Sequence, residues 1–470
     1  MQIPVLNGIY ADGASDFRTS YPRNLVPVPK QQGISQGYLR PADGIVELGE
    51  GPGVDRGGIN WKGTCYRVMG NKLVSIAANG IVSTIASFGS ASSGAQVTFD
   101  YSFDRLAVAV DGGLYYYDGF GGLTKVTDTD LGSVIDFIWV DGYFMTTDGF
   151  SLVVTELNNP TSVNPLKYGS SEADPDRIKG LLKLRNEVYA LNRHTIEVFQ
   201  NVGGDYFPFE RIEGAQMQRG VIGTHAAVVF LENIAFLGGG RNEAPGIWIG
   251  NNSTTTKIST REIDLVLSGY TEEQLATSVL EARVYGGHQL LYVHLPDQTL
   301  VYDGVGSQAV QEPVWFILTS SIVGLGTYRA KNFVWAYDKW ICGDPTTNKV
   351  GYLTFDVSSH YGDVNGWEFG TLIVYNEGRG ALFHELELVC LTGNVQLGDD
   401  PTIWTSYTVD GKTWSQERAR SAGKRGEYTK RIAWLQQGHM RHWRVQKFRG
   451  TSDAHLSIAR LEASIEGLNV

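Results

Sequence analysis

Short hydrophobic runs paired across tight-turn dipeptides recur from about residue 60 to residue 360, and this repeat restricts the chain to a β-rich fold. LAVAV (106–110) and LYYY (114–117) flank Asp111-Gly112, and FIWV (137–140) precedes Asp141-Gly142. Asp-Gly between such runs is typical of a two-residue hairpin loop. The hairpins recur at intervals of about 35 to 55 residues, the period of a four-stranded propeller blade. We therefore predict an all-β chain built on a degenerate β-propeller of six or seven blades. Because fixed blade signatures are missing, a large β-sandwich or two stacked sandwiches is the alternative.

Composition supports this fold class and divides the chain into three parts. Glycine accounts for 57 of 470 residues and aromatic residues for 11%, as expected for many short strands and tight turns. Residues 1–60, rich in Gly, Pro and Asn, are predicted to form an extended arm. Residues 61–364 form the propeller-like domain. Residues 365–470 contain six candidate strands and are predicted to form a C-terminal β-sandwich-like domain.

One helix is signalled, at residues 271–282. Thr271 and Gln274 match a capping box, and Leu275 and Val279 lie on one apolar face at helical spacing. A hairpin follows, with Pro296-Asp297 between QLLYVHL (289–295) and QTLVY (298–302). The helix is thus predicted to be an insertion in a blade.

Charge is distributed unevenly. The net charge is −11, which disfavours unspecific nucleic-acid binding by the whole protein. Residues 410–450 nevertheless hold eleven Lys and Arg against three acids, a net of +8, which leaves −19 elsewhere. This basic window, with aromatic residues interleaved, is a solvated face, a dock for an acidic protein or a DNA contact. Its candidate contact residues are Arg418, Arg420, Lys424, Arg425, Lys430 and Arg431.

Motifs that carry chemistry are missing. There is no GxSxG, Walker A, HExxH or CxxC, and the three cysteines are far apart. The histidine pairs 288/294 and 439/442 are interpreted as structural. TVDGKTW (408–414) is similar to a sialidase Asp-box but is one residue short and occurs once, so a hairpin turn is the interpretation. We predict no enzyme, no catalytic, metal-binding or cofactor-binding residue, and no cofactor. A signal peptide and a membrane span are also not evident, so synthesis and folding in a cytoplasm without membrane insertion are expected.

The segment YTEEQLATSVLEARVYGGHQLLYVHLPDQTLVYD (270–303) resembles the packaged-DNA stabilisation proteins of short-tailed phages, also called tail accessory factors or tail hubs. Three more segments agree in order: NEVYALNRHTIEVF (186–199), QRGVIGTHAAVVFLENIAFLGG (218–239) and WICGDPTTNKVGYLTFDVSSHYG (340–362). The C-terminal TVDGKTWSQER (408–418) fits as well. The agreement extends over nearly the whole length and is strongest from 186 to 362.

The resemblance implies a structural component of the virion tail. Several copies, six by resemblance, would form a hub ring below the portal and its head-to-tail adaptor protein. The ring would close the head after packaging, prevent DNA leakage, receive a needle or plug protein and help to seat the tailspike or tail fibre. Genomic DNA would pass through the lumen without sequence-specific binding. A receptor- or glycan-binding propeller of the tail is the alternative, followed by a glycoside hydrolase.

Two expectations follow for the ring. Because DNA must slide during ejection, a lumen rich in Lys and Arg would hold its phosphates. We therefore predict a neutral or acidic lumen and a basic window that faces a protein. We also predict that the 271–282 helix projects from a blade and contacts a neighbour or another tail protein through Leu275 and Val279.

Overall fold

The propeller is a closed ring of seven blades. The computed structural model describes residues 1–11, 16–30, 37–89, 94–157 and 159–468. Within these residues six strands precede the first complete blade: β1 (Gln2–Ile3), β2 (Gly8–Ala11), β3 (Phe17–Ser20), β4 (Leu25–Pro29), β5 (Gly37–Pro41) and β6 (Gly44–Glu50).

Each of the first four blades is a four-stranded antiparallel meander whose first strand is innermost. Blade 1 comprises β7 (Asp55–Trp61), β8 (Thr64–Met69), β9 (Lys72–Ile76) and β10 (Val82–Ser87). Blade 2 comprises β11 (Thr98–Tyr101), β12 (Leu106–Val110), β13 (Gly113–Tyr117) and β14 (Thr124–Lys125), and a short 3₁₀ turn (Thr129–Leu131) follows. Blade 3 comprises β15 (Asp136–Val140), β16 (Tyr143–Thr147), β17 (Ser151–Glu156) and β18 (Asn159–Ser170). Blade 4 comprises β19 (Ile178–Leu184), β20 (Glu187–Asn192), β21 (Ile196–Asn201) and β22 (Phe209–Met217).

The last three blades carry the helices. Blade 5 comprises β23 (Gly220–Val221), β24 (Ala227–Phe230), β25 (Asn233–Gly239), β26 (Gly246–Asn251) and β27 (Thr254–Lys257), and α1 (Arg261–Leu267) and α2 (Glu272–Ala276) follow. Blade 6 comprises β28 (Val279–Tyr285), β29 (His288–His294), β30 (Thr299–Asp303), α3 (Gly304–Val310) and β31 (Val314–Leu318). Blade 7 comprises β32 (Lys331–Ala336), β33 (Lys339–Gly343) and β34 (Lys349–Thr354).

A strand from the beginning of the chain completes blade 7. β6 pairs antiparallel with β34, from Gly44 opposite Thr354 to Glu50 opposite Lys349. Because β6 leads directly into β7 of blade 1, its pairing with β34 fastens the beginning of the propeller to its last blade. β6 thus supplies the outer strand of blade 7. Without it, the edge of β34 would expose unpaired backbone groups.

A buried ion pair seals the junction between blades 7 and 1. The Arg67 guanidinium donates to both Asp55 carboxylate oxygens, at 2.7 and 2.8 Å, and to the Asn332 carbonyl at 2.9 Å. The Asn332 side-chain amide donates to Asp55 at 2.6 Å. Gly343 is required beside this pair, because a Cβ there would lie 2.2 Å from the Asp55 Cγ.

The C-terminal residues fold into two packed sheets. Their strands are β35 (Gly366–Gly370), β36 (Val374–Tyr375), β37 (Ala381–Cys390), β38 (Thr402–Thr408), β39 (Arg418–Ser421), β40 (Ile432–Leu435), β41 (His439–Met440), β42 (Trp443–Thr451) and β43 (Ile458–Gly467). One sheet has the order β4-β5-β43-β37-β40, with β1 on β43 and β41 on β37. The other has the order β35-β42-β38-β39, with β36 on β42. Trp434, Phe448 and Phe369 lie in the core between them. The predicted architecture, a propeller followed by a sandwich, is confirmed.

Residues 1–60, expected as an extended arm, contribute strands to both sheet systems. β1, β4 and β5 lie in the sandwich and β6 lies in blade 7. The β2–β3 hairpin lies between α1 and the sandwich: the Tyr21 hydroxyl is 2.5 Å from the Thr260 hydroxyl, and Phe17 makes an edge contact with Trp443. The N-terminal residues therefore connect the two domains.

The predicted helix 271–282 is wrong in its second half. The capping box of Thr271 and Gln274 is present, but α2 ends at Ala276. Val279 and Leu280 belong to β28, where they pair with His294 and Val293. A strand that is buried on both faces has a continuous apolar run, and over a few residues such a run cannot be distinguished from the apolar spacing of a helix. The helices α1 and α3 were not predicted. No helix in the described ranges is long and apolar enough to cross a membrane.

Candidate functional site

The innermost strands of the seven blades surround an axial cavity. A cavity of about 740 Å³ lies at one end of the axis and one of about 490 Å³ at the other. Both are lined by Gln96, Thr98, Thr224 and His225, so they meet inside the ring. An axial cavity of this size is the first place to look for a site.

Carboxylates in the wall of this cavity bind backbone N–H groups of the next blade. Asp136 accepts from the Leu181 N–H at 2.8 Å and from the Thr98 hydroxyl at 2.7 Å, and thereby connects blades 2, 3 and 4. Asp100 accepts from the Trp139 N–H at 2.6 Å. An innermost strand has no strand partner on its axial edge, and these carboxylates satisfy donors that would otherwise be unpaired.

Glu281 makes the same connection between blades 6 and 7. It accepts from the N–H groups of Asn332 and Phe333 at 2.9 and 2.6 Å, and its carboxylate lies 2.9 Å from the His294 Nε2. Burial alone would raise the pKa of Glu281, but the hydrogen bond and charge of His294 leave it below its ordinary value. Burial also lowers the pKa of His294. Glu281 is thus held as an acceptor rather than as a free acid or base.

The cavity as a whole does not resemble a catalytic centre. Burial raises the pKa of Asp136 to about 7, but both of its oxygens are occupied by hydrogen bonds. Burial lowers the pKa of His225 to about 4 and that of Lys331 below its usual range. Within the described ranges no three His, Cys, Asp or Glu side chains cluster so as to hold a metal ion. Polar groups here connect blades, and no nucleophile is paired with a base.

The basic window lies on the sandwich, and part of it is used within the chain. The guanidinium groups of Arg418 and Arg420 donate to carbonyls on or beside β40 at 2.8 to 3.1 Å, and so connect the edges of the two sheets. Lys430 binds Glu427 at 3.0 Å, and Arg431 binds Glu385 and Glu387 at 2.7 and 2.6 Å. Lys424 and Arg425 are exposed, and no ion pair to either is seen in the described residues.

Leu275 and Val279 are not contact residues, contrary to the sequence-based prediction. Leu275 is 1% exposed and packs in the core between blades 5 and 6, and Val279 is 5% exposed in β28. The exposed face of α2 is acidic and polar, and Glu272 binds Arg193 of blade 4 at 2.6 Å. The apolar face of this segment is covered within its own subunit, which excludes the proposed contact through these two side chains.

The remaining candidates from the sequence have structural roles. The Asp410 carboxylate accepts from the N–H groups of Lys412 and Thr413 at 2.9 and 2.8 Å, as expected for a hairpin turn, although Trp414 is 38% exposed. His288 binds Asp303 at 2.6 Å, whereas His294 contacts Glu281 and Thr299, so the two histidines have different partners. Cys65 and Cys342 are buried and Cys390 is half-buried, all as free thiols.

Comparison with known proteins decides the family. A family model described as bacteriophage P22 Gp10, β-propeller, matches residues 1–358. A second, described as bacteriophage P22 Gp10, β-sandwich, matches residues 366–466. The chain belongs to the bacteriophage P22 Gp10 family. The resemblance to this group of phage proteins is thereby confirmed.

One curated relative of this Gp10-family chain is the "Tail hub protein gp10" of Salmonella phage P22. The two are 28% identical over 486 residues, which cover 99% of each chain. Among solved structures, PorZ of the type-IX secretion system of Porphyromonas gingivalis has a TM-score of 0.39 at 12% identity and covers 66% of this chain; this chain spans 37% of PorZ. The Neurospora crassa Pan2 WD40 domain has a TM-score of 0.41 at 9% identity and covers 66% of this chain and 95% of that one. These structural likenesses are too low to add to the family assignment.

Several important side chains of this Gp10-family protein gave no signal in the sequence. Asn24 bonds to blade 6 and to the sandwich, and Asp43 holds the buried Arg283. Arg444 is buried without a carboxylate, against Tyr407 and Phe383. Each acts across more than 30 residues of sequence or within a core, so no local spacing could reveal it.

Proposed function

We propose that this protein is the structural hub of a short phage tail. The observation that carries the proposal is the match of both domains to the P22 Gp10 family, with 28% identity to a tail hub protein along the whole chain. Several copies, six by resemblance, form a ring below the portal and its adaptor. The ring closes the head after packaging, prevents DNA leakage, receives the needle or plug and helps to seat the tailspike or fibre.

The construction of the subunit supports a mechanical role. The propeller is closed by β6, and the same N-terminal residues add β1, β4 and β5 to the sandwich. Asp136, Asp100 and Glu281 fasten the inner strands to one another. Such cross-connections between domains favour a subunit that transmits load without internal rearrangement. The polar groups that could have served catalysis are used to hold the blades together.

The narrow axial cavity bears on the path of DNA. A cavity of about 740 Å³ has the volume of a small-molecule pocket, which is far too little for a segment of duplex DNA. DNA therefore passes through the lumen between copies and not along the axis of one propeller. For DNA to slide there, the lumen is neutral or acidic, because each phosphate contact with Lys or Arg must be broken during ejection.

The test uses filled phage heads that carry portal and adaptor but no hub. The purified protein is added, and DNA retention is measured as resistance to added nuclease after a mild heat step. We expect retention to rise with added protein and electron microscopy to show a new ring below the adaptor. Heat-unfolded protein serves as the control. Nuclease-sensitive DNA at saturating protein, with no added density, contradicts the proposal.

A glycan assay separates the two remaining functional classes. The protein is incubated alone with host surface polysaccharide, and both binding and release of reducing ends are measured. A hub shows no turnover and no saturable binding. Turnover by the protein alone would indicate a glycoside hydrolase, and saturable binding without turnover would indicate a receptor-binding propeller.

A further inference from the structure

One side of the propeller disk exposes large apolar side chains in blades 2 to 4. In blades 2 to 4 the loops that join the first to the second strand and the third to the fourth lie on the same side, since successive strands reverse direction. We call this side in blades 2 to 4 the loop face. Its exposed apolar side chains are Phe103 (89% exposed), Phe120 (98%), Leu157 (52%), Val202 (50%) and Tyr206 (65%). Apolar side chains grouped in this way usually mark a contact with another protein.

The loop face is also acidic. Asp118, Asp141, Asp205 and Glu210 are exposed there. Asp118 accepts from the Phe120 N–H of its own turn at 2.9 Å, and Asp141 accepts from the side-chain amide of Asn201 in blade 4 at 3.1 Å. In the described residues none of the four acids has an ion pair. The exposed bases on this face are Lys125 and Arg185, so negative charge is in excess.

The sandwich carries a surface of opposite charge. We call Arg418, Arg420, Lys424 and Arg425, with the exposed Tyr428 (67%) and Leu435 (59%), the basic edge. Arg418 and Arg420 bind only uncharged carbonyls, and Lys424 and Arg425 have no ion pair in the described ranges. Glu427, whose carboxylate accepts from the Lys424 N–H at 2.9 Å, offsets part of the Lys424 charge, but it is shared with Lys430, so the edge keeps a net positive charge.

The two surfaces belong to parts of the subunit that are held apart. The sandwich is attached at blades 6 and 7, through Asn24 on the Thr319 and Gly366 carbonyls and through β6 on β34. The loop face comes from blades 2 to 4, on a different arc of the ring. The basic edge of one chain thus cannot cover the loop face of the same chain, and the charge can be matched only by another molecule.

We propose that the basic edge of one copy docks on the loop face of a second copy. The contact is heterologous, since two different surfaces meet, and repetition of it closes a ring when the rotation between copies allows. Apolar side chains on both surfaces supply the contact area, and the opposite charges set the orientation. The inference rests on the proposed hub function, to which it adds the surfaces that join the copies. It also assigns the basic window to a protein and not to the DNA lumen.

A charge swap tests the contact directly. One variant carries Lys424→Glu with Arg425→Glu, and the other carries Asp205→Lys with Glu210→Lys. All four side chains are exposed, and no side-chain hydrogen bond or ion pair of theirs is seen among the residues that the structure describes. Self-association is measured by sedimentation velocity and native mass spectrometry. We expect the wild type to associate, each variant alone to associate at least about tenfold more weakly, and the equimolar mixture to regain wild-type association. In the mixture every contact again pairs opposite charges.

Two matched controls reverse charge elsewhere. Arg379→Glu changes an exposed sandwich residue before β37, the opposite end of that strand from the Lys424 loop, and Asp130→Lys changes an exposed residue on the other side of the disk. Both should associate like the wild type. The proposal is overturned if the wild type stays monomeric, if either paired variant associates normally, or if the mixture stays dissociated.

Duplex DNA binding, followed by fluorescence anisotropy, gives a separate outcome. If Lys424→Glu with Arg425→Glu weakens DNA binding and leaves self-association unchanged, the basic edge is a DNA surface and the proposal fails. Head closure is scored independently: wild-type protein that passes the charge-swap test but does not retain DNA overturns the hub function and leaves the contact standing.

Discussion

The side-chain amide of Asn24 and the backbone of Thr319 exchange two hydrogen bonds. The Asn24 Nδ2 donates to the Thr319 carbonyl at 2.8 Å, and the Thr319 N–H donates to the Asn24 Oδ1 at 2.9 Å. The same Nδ2 donates to the Gly366 carbonyl at 2.8 Å. One buried amide therefore joins the N-terminal residues, blade 6 and the sandwich.

Replacement of Asn24 by alanine should destabilise the protein by at least about 3 kcal/mol. Three buried backbone groups, the N–H and carbonyl of Thr319 and the carbonyl of Gly366, lose their Asn24 partner, at about 1–3 kcal/mol for each unsatisfied group. Asn24 also has φ +51°, a region that asparagine tolerates better than alanine. Urea unfolding measures the change. Asn186→Ala, at an exposed turn, is the control and should stay within about 0.5 kcal/mol of the wild type; equal loss in both variants would contradict the assigned role.

Asp43→Ala should be among the most damaging single substitutions. The Asp43 carboxylate binds the buried Arg283 at 2.5 Å and Arg40 at 3.1 Å. Its removal leaves the buried Arg283 charge with the Tyr292 hydroxyl but without its carboxylate, which costs about 3–5 kcal/mol. Thermal and urea unfolding measure the loss.

A second variant separates this charge effect from lost packing. Arg283→Met in the Asp43→Ala background removes the unpaired charge and should recover part of the stability. Asp205→Ala is the exposed control and should be nearly neutral. A double variant less stable than Asp43→Ala would show that the Arg283 side chain stabilises by packing instead.

Stability should depend on pH through Asp136. Burial raises its pKa to about 7, above about 3.9 in the unfolded chain. The contribution of this group is fully present below pH ~3.9 and is lost as the pH rises through about 7. Between pH 5.0 and 7.5 the free energy of unfolding of the wild type should fall by about 2–3 kcal/mol relative to that of Asp136→Asn, whose side chain does not titrate. Unfolding by urea at both pH values measures this difference.

The pH experiment also needs an exposed carboxylate as reference. Asp130→Asn should follow the wild type at both pH values, because this side chain is exposed. If the stability of Asp136→Asn stays parallel to that of the wild type, Asp136 does not titrate in this range.

Arg444→Lys should not be a conservative substitution. The guanidinium donates to the Gln437 carbonyl at 2.6 Å and to the Gln446 Oε1 at 2.8 and 3.1 Å, and lies 3.7 Å from the Tyr407 ring centre. A lysine ammonium can replace neither the forked pair of hydrogen bonds to Gln446 nor the stacking on the Tyr407 ring. We expect the free energy of unfolding to fall by about 2–3 kcal/mol. Differential scanning calorimetry tests this. Arg379→Lys, at an exposed sandwich position, should leave the unfolding temperature unchanged. An Arg444→Lys melting curve that overlays that of the wild type would contradict the stabilising role of the guanidinium.

Local chemistry made much of the fold predictable. Asp111-Gly112 and Asp141-Gly142 do lie in hairpin turns, and Thr271 with Gln274 does cap a helix. These features depend on a few consecutive residues. Val279 misled the helix prediction because its environment, buried on both faces of β28, is set by strands that lie elsewhere in the sequence. Leu275 was assigned to the surface for the same reason.

By itself, the sequence determined the hairpins, their repeat, the division into propeller and sandwich and the family to which the chain belongs. Turn chemistry and hydrophobic alternation act between neighbours, so they can be read in order along the chain. Only the tertiary structure decided that β6 closes blade 7, that Asn24 joins the two domains and that the basic edge and the loop face are held apart. Those relationships depend on contacts between residues hundreds of positions apart, whose hydrogen bonds and charges find partners only after the ring has closed.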